Sequence, residues 1–309
     1  MPGYQSKYSD LIKARALDLG FSGCGISAAG FLDDEAKRLE AWLKSGMHGK
    51  MIYLENNFDK RVDPSRLVEG AKSVITVLHN YYPREIQKDP EAPVLSKYSY
   101  GTDYHFVLKD KLKKLLAFMN ASIGEINGRA FVDSAPVMER AWAARSGTGW
   151  IGKNTNLLVK GAGSFFFIGE LIVDIELATD APSGDLCGNC SLCIDSCPTG
   201  AITAPRQLDS RRCISYLTVE YRDQLPAEMR DKLQNRVFGC DICQDVCPHN
   251  KKAIPHNEPL FNADPEILEM TSADWNGMKR SLFNRHFARS AVKRAGYKLI
   301  KRNIEFLKG

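Results

Sequence analysis

Eight of the nine cysteines lie between Cys187 and Cys247, and their spacing constrains the chain more than any other feature. The run Cys187-x2-Cys190-x2-Cys193-x3-Cys197-Pro198 has the bacterial ferredoxin spacing, in which three thiolates hold one [4Fe-4S] cube and the fourth belongs to a second cube. A second run, Cys240-x2-Cys243-x3-Cys247-Pro248, supplies three more ligands and has Val237 where a fourth would stand. Cys213, between the runs, completes the count. One cluster then takes Cys187, Cys190, Cys193 and Cys247, and the other Cys197, Cys213, Cys240 and Cys243, so that every thiolate is used.

Zinc is the competing reading, because paired Cys-x2-Cys units are common tetrahedral ligands. Three cysteines at successive x2 intervals, followed twice by x3-Cys-Pro, would give each zinc site one sulfur too many. Disulfides fit less well, since clustered cysteines in a chain without a secretory signal serve metal or redox chemistry. Cys24, the ninth, lies in the apolar stretch Phe21-Ser22-Gly23-Cys24-Gly25-Ile26 and reads as a small buried residue.

With 309 residues, 44% of them hydrophobic, the chain can build two domains, at least one with a sizeable core. Residues 1–10 show neither an apolar signal region nor a twin arginine, and no stretch approaches the length of a membrane span; a cytoplasmic protein without membrane contact is expected. The net charge is +5, yet residues 279–302 hold nine Lys or Arg and no acid, which leaves about −4 for the rest. Within that run Phe283, Phe287, Ala291, Ala295 and Leu299 recur at i+4, predicting one amphipathic helix with Arg285, Arg289 and Lys293 on another face. A solvated face is the usual fate of such charges, but an acid-free run fits phosphate binding better.

Periodicity predicts helices over residues 8–19, 33–43, 137–145 and from about 105 to 119, and strands over 23–27, 73–79 and 129–132. Hairpin-like strands follow at 156–159, 164–167 and 171–175. The expected fold is α+β: a mixed α/β domain over 1–179, a ferredoxin-like double-cluster domain over 180–255 and a short basic helical tail over 256–309. The 129–132 strand delivers Asp133 into Ser134-Ala135-Pro136, where capping of the next helix is the plain explanation for Asp133 or Ser134. Gly147-Thr148-Gly149-Trp150-Ile151-Gly152-Lys153-Asn154 would let backbone approach a phosphate-bearing ligand, with a glycine-rich turn as the alternative. Residues 97–105 are dense in hydroxyl, phenol and imidazole groups. Clusters transfer single electrons, so the domain before them holds the substrate or a second redox cofactor.

The segment Phe131-Val132-Asp133-Ser134-Ala135-Pro136-Val137-Met138-Glu139-Arg140, the Gly149-Trp150-Ile151-Gly152-Lys153-Asn154 loop, Cys213-Ile214-Ser215-Tyr216-Leu217-Thr218, and Phe238-Gly239-Cys240-Asp241-Ile242-Cys243-Gln244-Asp245-Val246-Cys247-Pro248 together resemble the epoxyqueuosine reductase family. The resemblance covers nearly the whole chain. It implies cobalamin and two [4Fe-4S] clusters, used to reduce the epoxide of epoxyqueuosine at the tRNA wobble position to queuosine. The implied partners are tRNA carrying epoxyqueuosine and an external electron donor; a monomer is expected. The resemblance also implies base-off cobalamin with no protein histidine on the metal. In keeping with that, Asp103-Tyr104-His105 begins like the corrinoid signature D-x-H-x-x-G but has Leu108 in place of glycine; a solvated helix cap is the other reading of His105.

By the same resemblance Asp133 is the general acid, which protonates the departing epoxide oxygen. Burial over an apolar corrin face, away from Arg and Lys, would raise its pKa. The residues implied to line the cofactor are Arg61, Lys97, Tyr98, Tyr104, Asp133, Arg140, Lys153, Asn154, Ser215 and Tyr216. Many members carry a helical-repeat domain after the clusters; here Arg285, Arg289 and Lys293 are the implied tRNA contacts. Three alternatives remain open. A corrinoid reductive dehalogenase would share the cofactors but usually bears a twin-arginine signal. An electron-transfer module would leave residues 1–179 unexplained. A cluster-containing nucleic-acid-binding regulator would use the basic tail without turnover.

Overall fold

The computed structural model describes residues 3–308; Met1, Pro2 and Gly309, at the outer ends of the first and third expected domains, lie outside the described residues. An antiparallel sheet of β1 (Gly23–Ala28), β2 (Ser73–Asn80), β3 (Gly128–Phe131) and β4 (Phe166–Val173) runs in the order β1-β2-β4-β3. The sequence of β2, Ser-Val-Ile-Thr-Val-Leu-His-Asn, is rich in β-branched residues and buried along nearly its whole length, as a strand covered on both faces must be. On one face α1 (Gly3–Asp18) and α3 (Tyr104–Ser122) set Ile12, Ala16, Leu108, Leu112 and Leu115 against Ile26, Ile75, Val77 and Leu171. On the other, α2 (Asp33–Lys44) and α4 (Glu139–Arg145) bring Ala36, Ala141 and Trp142 onto Val74, Phe131 and Ile172. Complete burial of one such leucine contributes roughly 1.5–3 kcal/mol, so this double-sided core is what fixes the loops at the strand ends.

Several sequence expectations change here. The strands expected at 164–167 and 171–175 are one continuous strand, β4. Glu170, which splits the apolar run, pairs in register with Thr76 and Phe131 and is fully buried. Gly169 lets α3 approach: a Cβ there would stand 3.1 Å from Leu112. The helix expected at 137–145 begins at Glu139 with Met138 as N-cap and no side-chain capping bond, so neither Asp133 nor Ser134 caps it. The glycine-rich loop is a tight hairpin, Trp150–Ile151 against Leu157–Leu158, and a Cβ on Gly149 would lie 2.2 Å from the Leu158 carbonyl oxygen. That close approach accounts for the glycine.

The single basic helix expected over 279–302 is three pieces, Arg280–His286, Val292–Ala295 and Tyr297–Lys308. Gly296, at φ 84°, breaks the last two apart. Its apolar residues are nevertheless buried: Phe283 and Phe287 share a core with Trp275, Val237 and Phe238, joined by Ala92, Leu95 and Tyr100 from the N-terminal region. A parallel pairing of Val94–Leu95 with Arg236–Phe238 ties the same regions together. Packing therefore crosses the expected divisions at 179 and 255. Among the described residues no helix is long and apolar enough to cross a membrane.

Candidate active site

The two cysteine runs fold alike. Short helices within them, Leu192–Asp195 carrying Cys193 and Ile242–Asp245 carrying Cys243, pack against each other. Each run closes with the same backbone bond, Cys197 N–H to Ile194 O at 3.2 Å and Cys247 N–H to Gln244 O at 3.0 Å. Burial raises the Cys193 thiol above its ordinary pKa, and the thiolates that raise it further are Cys247, Cys187 and Cys190. Cys243 is raised by burial and then by Cys240 and Cys213, while the thiolate acting on buried Cys213 is Cys197. Cys193 acts on Cys243 as well, so thiols of both expected foursomes lie close to one another. The first foursome walls a pocket of about 30 Å³ with Lys153 and Asn154. Among the described residues no three potential ligands stand at single-ion distance; a cube holds its thiolates farther apart than does a tetrahedral ion bound at about 2.3 Å. Cys24 packs against the main core instead, where burial pushes its thiol up to about 12.

A cavity of about 1610 Å³ opens between the sheet and the cysteine-bearing region, lined by Trp42, Tyr53, Tyr98, Tyr104, Trp150 and Phe238, with Arg61, Arg140 and Arg294 among its seven arginines. Pockets for drug-sized ligands measure roughly 300–1,000 Å³, so this one suits a macrocycle. Cys213 also lies on its wall.

Asp133 follows β3 with φ at 52°, a left-handed conformation that aspartate tolerates better than most residues. The Glu139 carboxylate accepts the Asp133 N–H, and Ser134 N–H bonds Val132 O at 2.6 Å. This turn carries the Asp133 side chain to the first turn of α3. There Asp103 caps the helix, its Oδ1 3.0 Å from His105 N and 2.6 Å from His105 Nδ1. His105 Nε2 is 3.1 Å from Asp133 Oδ2. Arg294 Nη1 contacts the same ring, 2.7 Å from Nε2 and 3.0 Å from Nδ1. The His105 side chain is 8% exposed and that of Asp133 is 52% exposed, so the aspartate faces the cavity and the histidine backs it.

Charge in this group departs from the sequence expectation. Burial alone would raise the Asp133 carboxyl, but hydrogen bonding and charge from His105, with help from Tyr104 and Arg294, outweigh it and hold the pKa below the ordinary value. Asp133 is thus not remote from arginine, and its expected upward shift does not occur. Burial would lower His105, yet its bonds to Asp103 and Asp133 prevail and raise it. Glu139 is pushed up to about 8 by burial and by the neighbouring Asp133 charge. These shifts favour a proton on His105 and on Glu139 and the carboxylate form of Asp133.

Of the residues expected to line the cofactor, Arg61, Tyr98, Tyr104, Asp133, Arg140, Ser215 and Tyr216 lie on the cavity wall. Arg61 donates to Tyr53 O at 3.0 Å, Arg140 to Thr155 O at 2.7 Å, and the Tyr216 hydroxyl accepts from Lys50 N at 2.8 Å. Three others serve the cysteine loops. Lys153 donates to Gly188 O and Cys190 O at 2.6 and 2.9 Å, Asn154 to Cys243 O at 3.2 Å, and Lys97 to Asp245 at 2.6 Å. In the tail Arg285 pairs with Glu266, Lys293 donates to Asn284 at 2.6 Å, and Arg289 is exposed. The acid-free run thus does meet counter-charge in space.

Sequence reasoning missed Asp103, His105, Glu139 and Arg294 as a group. The Asp103-x-His105 spacing is a usable signal: in sequence it reads as the start of a corrinoid signature or as a solvated histidine cap, whereas Asp103 caps the helix and holds the imidazole. His105 is neither solvated nor the cap. Arg294 gave no signal beyond being one charge in a basic run.

Two family models match the chain. One, described as a 4Fe-4S double cluster binding domain, covers residues 186–250, and one described as epoxyqueuosine reductase QueG covers residues 61–134. The epoxyqueuosine reductase of Cellulophaga algicola is 55% identical over 304 residues, which span 98% of this chain and 99% of that protein. A crystal structure of epoxyqueuosine reductase with an epoxyqueuosine-modified tRNA-Tyr stem loop superposes with a TM-score of 0.91 at 32% identity, covering 97% of this chain and 80% of that one. The catabolic reductive dehalogenase NpRdhA, at 16% identity and a TM-score of 0.54 over 98% of this chain and 39% of its own, shares the fold alone.

Proposed function

The chain belongs to the epoxyqueuosine reductase family, and on that premise we propose that it reduces the epoxide of epoxyqueuosine in tRNA to the alkene of queuosine. Its cysteines support two [4Fe-4S] clusters: Cys187, Cys190, Cys193 and Cys247 line one pocket, and Cys197, Cys213, Cys240 and Cys243 are the four thiols the spacing leaves for the second. The large cavity fits a corrin, and because both His105 nitrogens are engaged with carboxylates, the residues support base-off cobalamin without a protein imidazole on the metal. When bound, the cobalt supplies reducing electrons to the substrate carbon. The observation that carries this reading is the position of Cys213, which belongs to the second thiolate group and also to the cavity wall that bears Asp133 and His105. Electrons and protons reach one chamber from different sides.

Removing the epoxide oxygen as water takes two electrons and two protons. Asp133 faces the chamber and His105 lies behind it. As the carbon–oxygen bond breaks, the proton passes from His105 Nε2 through Asp133 Oδ2 to the departing oxygen, while Asp103 keeps the imidazole oriented. Arg61, Tyr98, Tyr104, Arg140, Ser215 and Tyr216 hold the corrin and its side chains, and Lys97, Lys153 and Asn154 hold the cluster loops. Residues 1–179 supply most of the chamber, 180–255 the clusters, and 256–309 the tail, with Arg285, Arg289 and Lys293 directed at tRNA phosphates. We assign a cytoplasmic monomer fed by an external electron donor. The test is metal analysis of anaerobically purified protein together with turnover of tRNA carrying epoxyqueuosine. Iron and cobalt with loss of the epoxide are expected; iron without cobalt and an intact epoxide would return the chain to the electron-transfer reading.

A further inference from the structure

The chemistry above leaves unused a carboxyl group in the middle of the sheet. Glu170 of β4 is fully buried, and neither of its carboxylate oxygens has a hydrogen-bond partner. Register places it between Phe131 of β3 and Thr76 of β2. The Thr76 hydroxyl is buried without a partner too, as is that of Ser27 on β1, which pairs with Val74. Because alternate residues of a strand share a face, Glu170, Thr76 and Ser27 form one polar row, on the same side as Val74 and Ile172. That side is covered by α4. The cover is close: a Cβ on Gly25, which pairs with Thr76, would stand 2.2 Å from Ser146 O.

An ionised carboxylate without a partner is too costly at such a site, so the group holds a proton. Burial raises Glu170 well above the ordinary carboxyl range, and the charges that raise it further are Glu139 on α4 and Asp133 on the loop after β3. Glu139 in turn faces Asp133, Arg140 and His105, borders the cavity and holds the Asp133 amide. Asp133 stands two residues beyond Phe131, the strand partner of Glu170, and α4, which begins at Glu139, packs on β4, so the three carboxyls lie along one side of the sheet toward the chamber. Buried polar groups of this kind are commonly bridged by ordered water, which also conducts protons.

We propose that Glu170 and Glu139 form an internal proton store that reloads the Asp133–His105 pair during turnover. The proposal rests on the epoxide-reduction reading, which needs two protons per product while the Asp133–His105 pair delivers one at a time. A tRNA over the cavity mouth separates that pair from bulk water, so the second proton comes from within. Glu139–COOH protonates Asp133, and Glu170–COOH then reprotonates the Glu139 carboxylate so formed. The departing oxygen, more basic than any carboxylate, draws the transfers forward, and the store refills after product leaves.

The test uses Glu170→Gln in the holoenzyme, which keeps shape and burial but releases no proton. At neutral pH, infrared spectra of the parent should show a protonated-carboxyl band that Glu170→Gln lacks. Iron, cobalt and tRNA affinity should be unchanged, while kcat falls about tenfold at constant KM, the solvent deuterium effect on kcat grows, and the alkaline limb of the kcat profile changes position. Absence of the band from the parent, or a kcat profile in Glu170→Gln matching that of the parent, overturns the proposal. If the variant does not fold, Glu139→Gln replaces it under the same criteria. A parent that shows the band yet does not reduce epoxyqueuosine overturns the functional reading instead, so the two failures are distinguishable.

Discussion

Asp133 sits between opposing influences, burial favouring its acid form and the cations His105 and Arg294 favouring its carboxylate. Because the second influence prevails, the proton it delivers is replenished from His105. Asp133→Asn, which has nearly the same shape but cannot pass that proton on, should lose about 100-fold or more in kcat while retaining iron, cobalt and tRNA binding. A kcat near that of the parent would remove Asp133 from the chemistry. Asp103→Asn takes away a carboxylate that holds the His105 proton, so the imidazolium is lost at lower pH and the alkaline limb of kcat should move downward. A rate-against-pH series reads this directly. Glu139 gives a stability counterpart. Its folded pKa of about 8 exceeds the ordinary 4.5, so its share of stability is fully present below pH 4.5 and is lost as pH rises through 8. Thermal unfolding of the parent should therefore fall relative to Glu139→Gln between pH 5 and 8, and parallel curves would show that the carboxyl does not titrate there.

The cysteine loops were the most legible elements, because cluster ligation imposes residue identity at fixed intervals. Spacing alone divided Cys213 from Cys187, Cys190 and Cys193, and the latter three line one pocket with Cys247. Cys213→Ala should accordingly lose about half the iron, since one cube loses a ligand while the other keeps four. A full iron complement would take Cys213 off the ligand set. The strands β1, β2 and β3 were legible within a residue or so. The long strand β4 was not, because Gly169 and Glu170 look like a turn in sequence and are a close-packing point and a buried acid in space. The tail misled in the opposite sense. Residues spaced at i+4 are all buried or nearly so, yet the breaks between His286 and Val292 and at Gly296 distribute them over three helices and their ends. Periodicity reports which side chains meet the core, not whether one continuous helix takes them there. Arg294 comes from a distant part of the chain, and its meeting with Asp103 and His105 depends on the packing of the tail, where Asp103 N–H bonds Arg289 O at 2.6 Å.

That packing redistributes the nine positive charges of 279–302 across the molecule. Arg302 donates to the carbonyls of Leu217, Tyr221 and Asp223 and so braces the region after Cys213, and Arg294 is spent on His105. Arg285 is already paired with Glu266, which leaves Arg289 and Lys293 as the freer cations of the three expected at tRNA. Neutralising Arg285, Arg289 and Lys293 together to Gln should weaken substrate and non-substrate tRNA alike, because phosphates carry no sequence information. Each lost phosphate contact releases fewer counterions, so the slope of log K against log salt should become shallower by roughly 0.7–0.9 per contact. Two effective contacts predict a change of about 1.4–1.8, and a change near 2.1–2.7 would mean that Arg285 leaves Glu266 when tRNA binds. Arg294→Gln separates the two roles of the tail: it should depress kcat and leave the salt slope unchanged, since its guanidinium faces the imidazole. Binding isotherms at several salt concentrations decide the matter. An unchanged slope in the triple variant would make these residues an ordinary solvated face and place the tRNA grip elsewhere on the molecule.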